Sequence, residues 1–293
     1  MKNLPPFLLA DVFDLILDAV CVVDRQGHFV AVSSAFERIF GYRPDEVIGQ
    51  PMLNFVYPED RGHTLRTVDT IMAGELMPRF ENRWVHKDGR VIHVMWSARW
   101  SADHQVRIAV ARDITDRKQM EERLQHMAAH DTLTDLPNRA LLLDRVQTAL
   151  AQARRDNTDF ALLFIDIDNF KNINDTFGHA TGDSLLQKIA GRLRNCVRAS
   201  DTIGRLGGDE FLVLLNHVET TEDSAIVAAK ICVALDQPFT IGDNQLRITP
   251  SIGIAHHSQQ DIDGSLLIQH ADEAMYRSKK AGGNCYMLYQ EKN

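Results

Sequence analysis

The stretch from Asp116 to Ala129 divides this chain and limits what it can become. It holds no glycine or proline, is rich in charged and polar side chains, and separates two halves whose hydrophobic patterns differ. Such a segment reads as a connecting helix. Met120, Leu124 and Met127 fall four and then three residues apart, the start of a heptad seam that covers only about two heptads. A solvated connector and a short parallel coiled coil both fit. At roughly 150 residues per domain, 293 residues allow one domain on each side. The expected divisions are a helix over 1–18, a domain over 19–115, the linker over 116–129 and a second domain over 130–293.

The first half reads as short strands and short helices. Ala19 to Asp24 and Phe29 to Val32 flank the polar turn Arg25-Gln26-Gly27-His28, which predicts a hairpin. Ala35 to Tyr42 and Asp45 to Gly49 predict short helices. Phe80 to His86 and Val91 to Trp100 flank Lys87-Asp88-Gly89-Arg90, and Asp-Gly between alternating strands is a strong hairpin signal. A last strand runs from Val106 to Ile114. The result is a small antiparallel sheet with helices packed over it.

The second half alternates helix and strand. Helices are expected at Arg139 to Arg154, Ser184 to Val197, Thr221 to Leu235 and Leu266 to Ala281. Strands are expected at Phe160 to Asp166, Thr202 to Leu206, Glu210 to Leu215, Leu246 to Ala255 and Cys285 to Leu288. That pattern implies a central sheet covered by helices, and the chain as a whole is α+β.

Composition excludes several classes. Hydrophobic content of 44% and charged content of 25% are those of a folded globular protein. A net charge of −8, from 32 basic and 40 acidic residues, disfavours nucleic-acid binding. Cys21, Cys196, Cys232 and Cys285 are far apart, with no CxxC pair, and read as reduced core thiols. Phe7 to Leu17 is apolar, but Asp11, Asp14 and Asp18 recur at helical spacing, so an amphipathic helix is expected instead of a membrane span or a signal peptide. The expected location is cytoplasmic.

Asp166 and Asp168 close an apolar strand two residues apart, so their carboxylates are expected to leave one face and to suit a hard cation that also holds phosphate. For Asp168 alone, capping of the following helix is the preferred reading. Arg205-Leu206-Gly207-Gly208-Asp209-Glu210-Phe211 is a tight turn between two apolar strands. Its glycines admit a phosphate close to the backbone, and its two acids would stand beside Asp166 if the strands are neighbours.

Gly207-Gly208-Asp209-Glu210-Phe211 resembles the signature of the GGDEF family, the diguanylate cyclases. Asp131-Thr132-Leu133-Thr134-Asp135-Leu136-Pro137-Asn138-Arg139, Asp166-Ile167-Asp168-Asn169-Phe170-Lys171-Asn172-Ile173-Asn174-Asp175 and Ala271-Asp272-Glu273-Ala274-Met275-Tyr276 are similar to that family's other motifs, in order, over 130–290. The first half resembles a PAS domain through Phe40-Gly41-Tyr42-Arg43-Pro44-Asp45-Glu46-Val47-Ile48-Gly49, Tyr57-Pro58-Glu59-Asp60, Lys87-Asp88-Gly89 and Arg112-Asp113-Ile114-Thr115. The sequence ends with the second half, so no phosphodiesterase domain is expected to follow.

The resemblance implies a PAS sensor, a helical linker and a cyclase whose central sheet is ferredoxin-like or nucleotidyl-cyclase-like. It implies condensation of two GTP into cyclic di-GMP with release of two pyrophosphates, in a homodimer, using two Mg²⁺ per active site, with Mn²⁺ as a substitute. By similarity, Asp166, the Ile167 carbonyl and Asp209 hold metal, and Glu210 is either a ligand of the second ion or the base at the 3′-hydroxyl. Phe170, Lys171, His179, Gly207, Gly208 and Lys279 fall at substrate-binding positions. Asn174 and Asp183 correspond to the guanine-reading pair, and a carboxylate suits the adjacent N1–H and N2 donors of guanine but not adenine. Asp183 also fits an N-cap of a helix starting at Ser184. Arg198 and Asp201 match the RxxD site at which cyclic di-GMP binds as an inhibitor.

One departure is visible. Lys280-Ala281-Gly282-Gly283-Asn284 has Gly283 where the family pattern has an arginine that clamps the terminal phosphate; Lys279 remains, with Lys280 beside it. Gly283 favours the alternative of a non-catalytic GTP- or cyclic di-GMP-binding module, whereas Asp166, Lys171 and the intact turn favour an enzyme. The ligand of the first half is not legible. His28, His63, His86, His93 and His104 are scattered, and Trp84, Trp96 and Trp100 read as core or interface.

Overall fold

The structure is a computed structural model that describes residues 16–257 and 263–290. The helix expected over 1–18 lies outside the described residues, apart from 16–18, which form no helix. The chain divides into two compact units, Met1–Arg123 and Leu124–Asn293.

In the first unit, period-2 alternation builds an antiparallel sheet of β1 (Ala19–Asp24), β2 (Phe29–Val32), β3 (Met77–Val85), β4 (Val91–Ser101) and β5 (Val106–Asp113), in the order β2-β1-β5-β4-β3. Among the described residues three α-helices, α1 (Ser34–Phe40), α2 (Pro44–Val47) and α3 (Arg61–Met72), accompany it; α3 was not foreseen. The core is aromatic: Phe29, Phe36, Phe40, Trp84 and Trp96 are all buried. Asn82 Oδ1 accepts from Nε1 of both Trp84 and Trp96, at 2.9 Å each, so the two indoles are satisfied inside the core.

The linker helix α4 (Thr115–Ala129) has no buried residue. Near its start Lys118 and Arg117 pair with Glu81, each at 2.8 Å.

In the second unit, β6 (Phe160–Ile167) is buried along its whole length. Leu162 and Phe164 face α5 (Arg139–Asp156) and α9 (Gly264–Lys280). Leu163 and Ile165 face α7 (His179–Arg194) and α8 (Thr221–Asp236). The sheet of β7 (Thr202–Gly207), β8 (Glu210–Asn216), β11 (Pro250–His256) and β12 (Cys285–Leu288) with β6 has the order β12-β11-β6-β8-β7. Running β6-helix-β7-β8-α8-β11, it follows the βαββαβ scheme of ferredoxin-like folds. A strand fully buried on both faces cannot alternate, which explains why β6 reads as a continuous apolar run.

Two sequence expectations are corrected. A short helix, α6 (Phe170–Phe177), precedes α7, and α7 begins at His179 instead of Ser184, because Gly178 at φ 85° breaks one helix and opens the next. The strand expected over 246–255 is cut. Leu246 ends β10 (Asn244–Leu246), which pairs with β9 (Phe239–Ile241), and Pro250 starts β11, since proline has no N–H for a strand interior. All four cysteines are free, Cys21 and Cys196 buried.

Candidate active site

Asp166 is the penultimate residue of β6 and follows Leu162 and Phe164 on the face that looks toward α9. A carboxylate at 6% exposure needs compensation. Lys279, near the end of α9, supplies it: Nζ lies 2.6 Å from Asp166 Oδ1. Burial nevertheless holds the Asp166 pKa above the ordinary carboxylate value, with Lys279 opposing and Asp209 and Asp168 adding to the rise. Burial pulls Lys279 down, but the Asp166 contact and the charges of Asp209 and Asp168 outweigh it and leave its pKa raised.

Glu210 opens β8 directly across the ladder from Asp166. Opposed residues of an antiparallel pair share a face, so both carboxylates look the same way. Burial raises the Glu210 pKa, and Asp166, Asp209 and Asp272 raise it further. Asp209 belongs to the turn between β7 and β8, where Gly207 pairs with Glu210.

The turn is braced by Arg205, whose part the sequence reading missed. Its Nε and Nη2 donate to the Gly208 carbonyl at 2.9 and 2.7 Å, and Nη1 donates to both carboxylate oxygens of Asp131 at 2.9 and 3.1 Å. Asp131 also accepts from the backbone N–H and the hydroxyl of Thr134. The segment that opens the second domain is thereby tied to the glycine turn. An arginine one residue before Leu206-Gly207 was the available signal.

The donor set suits a hard divalent cation: the carboxylates of Asp166, Asp209 and Glu210 are oxygen donors, as Mg²⁺ or Mn²⁺ requires. Pro250 faces Ile167 on β11 and has no N–H to offer the Ile167 carbonyl. Among the described residues no three His, Cys, Asp or Glu side chains are already gathered as a metal centre. The Lys279 ammonium takes up the Asp166 charge instead.

Asn169, at φ 57°, turns the chain from β6 into α6. Phe170 and Lys171 form the first turn of that helix, where backbone amides lack intrahelical acceptors and favour anions. Lys171 is exposed. Asn174, on the same helix, carries a buried Oδ1 with no donor. Gly182 of α7 makes that approach possible, since a Cβ there would stand 1.9 Å from Asn174 Oδ1. His179 and Asp183 are both exposed on α7. The capping reading of Asp183 is overturned, because the helix starts earlier and Asp183 lies within it.

Asp168 does not cap α6 either; the N-cap residue is Asn169. Its carboxylate accepts from Thr249 Oγ1 and Ser251 Oγ, each at 2.7 Å, and from the Asn284 N–H at 3.2 Å. Gly283 lies against it at φ 74°, and a Cβ there would come within 2.4 Å of Asp168 Oδ2. Lys280 Nζ sits 4.5 Å above the Tyr276 ring.

Arg198 and Asp201 lie in the loop after α7, beside Asn216 at the end of β8 opposite to Glu210. The Asp201 carboxylate accepts from the N–H of Arg198 at 3.0 Å and of Asn216 at 3.1 Å. An open groove of about 450 Å³ is lined there by Arg198, Asp201, Asp223 and Lys230.

Residues 128–285 match the family model for the diguanylate cyclase GGDEF domain, and residues 29–110 match that of the PAS fold. The chain is 46% identical over 167 residues to the bifunctional diguanylate cyclase/cyclic di-GMP phosphodiesterase MucR of Pseudomonas aeruginosa, covering 57% of this chain and 24% of that protein. Among solved structures, a truncated TpbB from the same organism, comprising only the GGDEF domain, is 40% identical with a TM-score of 0.53, over 55% of this chain and 94% of that one. The coiled coil and GGDEF domain of DgcB from Caulobacter crescentus, in complex with c-di-GMP, is 28% identical with a TM-score of 0.56, over 60% and 93%. The chain thus spans about a quarter of MucR's length, and 36% of full-length TpbB. Among the described residues no helix is long and apolar enough to cross a membrane.

Proposed function

This chain belongs to the GGDEF-domain diguanylate cyclase family, and from that premise we propose that it condenses two GTP into cyclic di-GMP under the control of its PAS half. In the reaction each 3′-oxygen forms a bond to the α-phosphorus of the other nucleotide, the bond from that phosphorus to the β-phosphate bridge breaks, and two pyrophosphates leave. The observation that carries this reading is the opposition of Asp166 and Glu210 across one ladder, with the Lys279 ammonium on Asp166 and Asp209 in the adjoining turn.

Asp166, the Ile167 carbonyl, Asp209 and Glu210 would hold two Mg²⁺, or Mn²⁺. When bound, these ions supply neutralisation of the pyrophosphate charge and acidify the attacking hydroxyl. Glu210, whose pKa stands above the ordinary value, serves either as ligand or as the group that takes the 3′-hydroxyl proton. Lys171 and the first-turn amides at Phe170 and Lys171 meet phosphate oxygens, Lys279 adds a cation, and Gly207 and Gly208 let the triphosphate approach the backbone. Asn174 and Asp183, with His179 nearby in sequence, bind guanine; the partnerless Asn174 Oδ1 supports this, since a buried acceptor without a donor is costly unless a ligand provides one.

A single site positions one GTP, so two protomers face each other. The exposed Met120, Leu124 and Met127 of α4 are the proposed seam. Product binding at Arg198 and Asp201 would provide inhibition. GTP supply accords with a cytoplasmic location. The test is to incubate the purified chain with GTP and Mg²⁺ and identify the product by mass; cyclic di-GMP is expected, and unreacted GTP would leave the binding-module alternative standing.

A further inference from the structure

Lys279 reaches Asp166 from the last turn of α9, and packing does not fix that turn. Ala271, Ala274, Met275 and Ser278 are buried and seat α9 on the sheet. Gly253 of β11 admits the helix so closely that a Cβ there would collide with the Ala271 carbonyl. From Lys279 to Gly282, by contrast, every residue is exposed. What holds this stretch is hydrogen bonding.

Beyond α9 the chain turns through three successive left-handed residues, Gly282, Gly283 and Asn284, at φ 113°, 74° and 50°. The first amides turn back onto the helix. Ala281 N–H donates to the Arg277 carbonyl at 3.0 Å, Gly282 N–H to the Lys279 carbonyl at 3.1 Å, and Gly283 N–H to the Ser278 carbonyl at 3.1 Å. The Asn284 N–H leaves the helix and donates to Asp168 Oδ2 at 3.2 Å. Cys285 then enters β12 opposite Ser251 of β11.

Asp168 is held ready for that amide. Its own N–H donates to the Thr249 carbonyl at 2.8 Å. Thr249 Oγ1 donates to Oδ2 and Ser251 Oγ to Oδ1, each at 2.7 Å, so two hydroxyls fix the carboxylate in one orientation. Gly283 lets the loop come this near, since a Cβ there would collide with the carboxylate.

We infer that Asp168 is a positioning residue for the proposed reaction. Through the Asn284 amide it fixes the loop that ends α9. Through the Gly282 N–H on the Lys279 carbonyl, that loop fixes the backbone from which the ammonium reaches Asp166 and the nucleotide phosphates. The inference rests on the reading of Lys279 as a phosphate cation, and adds what holds that cation in place. The rival account is that the Asp168 charge alone attracts Lys279, and asparagine separates the two. Asparagine keeps a carbonyl oxygen for Thr249 and Asn284 and turns its amide to Ser251 Oγ, which can accept. Alanine keeps neither charge nor acceptor.

The test uses the purified full chain with Mg²⁺ and reads KM and kcat for GTP. It also reads the affinity for 3′-deoxy-GTP, which lacks the attacking hydroxyl and so binds without condensing. Asp168→Ala should raise KM and weaken 3′-deoxy-GTP about tenfold, with a smaller change in kcat, because a cation on phosphate acts in ground and transition states alike. Asp168→Asn should stay within about threefold of wild type. In a Lys279→Met background, Asp168→Ala should add less than about twofold, since the lysine through which it acts is gone. Independent losses that multiply in the double variant would overturn the inference. So would asparagine as damaging as alanine, or a wild type that does not bind 3′-deoxy-GTP. Coupled losses of 3′-deoxy-GTP binding without any cyclic di-GMP from GTP would remove the cyclase reading and leave the positioning role standing. If Asp168→Ala does not fold, Thr249→Val carries the same cycle, with an effect of about threefold, because it removes one of the two orienting hydroxyls and keeps the shape.

Discussion

Lys279 and Asp166 form a contact of 2.6 Å that links the end of α9 to the end of β6, yet the lysine does not fully offset the burial of the acid. Asp166 keeps a raised pKa, and so does Glu210 opposite it. A carboxylate with a raised folded-state pKa holds its proton longer in the native state than in the unfolded one. Its contribution to stability therefore falls as pH climbs from the unfolded value, about 4, through the raised value. In EDTA, the melting temperature of Asp166→Asn minus that of wild type should grow across this window. Mg²⁺ should then stabilise wild type but not the variant. A difference that is flat with pH would contradict this account of the site.

Asp209→Ala and Glu210→Gln should each lower cyclic di-GMP formation on the order of 10³-fold, since metal-assisted charge stabilisation supplies several kcal/mol. Asp209 in the turn and Glu210 at the start of β8 are only partly buried, so circular dichroism and melting should change little. Near-normal turnover in either variant would remove the proposed assignment.

Much of this site was legible in the sequence because it is local. An unbroken apolar run predicts β6, and a glycine turn between two apolar segments predicts β7 and β8. Once β8 lies beside β6, Glu210 must fall near Asp166. Asp168 was not legible, because its partners Thr249 and Ser251 lie 81 and 83 residues further along. A short Asp-Asn pair before a helix looks the same whether it caps or is captured from afar. The α6–α7 break was missed because Gly178-His179-Ala180-Thr181-Gly182 is too polar to reveal helical periodicity.

Gly283→Arg invites the expectation that a restored cation would strengthen GTP binding. The backbone argues otherwise. Gly283 is left-handed, and its would-be Cβ meets Asp168 at 2.4 Å, so the substitution should cost about 1–3 kcal/mol. A lowered melting temperature with no improvement in KM is expected. An unchanged melting temperature together with a lower KM would show that the loop rearranges freely around Asp168.

Arg198 and Asp201 should separate in their effects. The Arg198 side chain is exposed, whereas the Asp201 carboxylate ties the N–H groups of Arg198 and Asn216. Arg198→Ala should stay within about 0.5 kcal/mol of wild-type stability while relieving inhibition by added cyclic di-GMP. Asp201→Ala should relieve inhibition and also lose about 1–2 kcal/mol through the two freed backbone donors. Identical inhibition curves for wild type and Arg198→Ala would mean that the groove does not regulate.

The linker helix offers the sharpest test of how the PAS half controls the cyclase. Met120, Leu124 and Met127 are 56%, 58% and 52% exposed, a row of apolar side chains that no other described residue buries. If two protomers pair along it, the phase of the helix fixes how the two cyclase halves face each other. A coiled-coil seam repeats every seven residues. Seven residues inserted after Arg123 should therefore restore the seam and retain a signal response. Three or four residues move it toward the opposite side of the helix and should lock activity high or low. Measured as initial rates of cyclic di-GMP formation beside the sedimentation-derived mass, equal activity and equal response in all insertions would reduce α4 to a tether. Loss of the dimer in the out-of-phase insertions alone would identify the seam as the element that assembles the active pair.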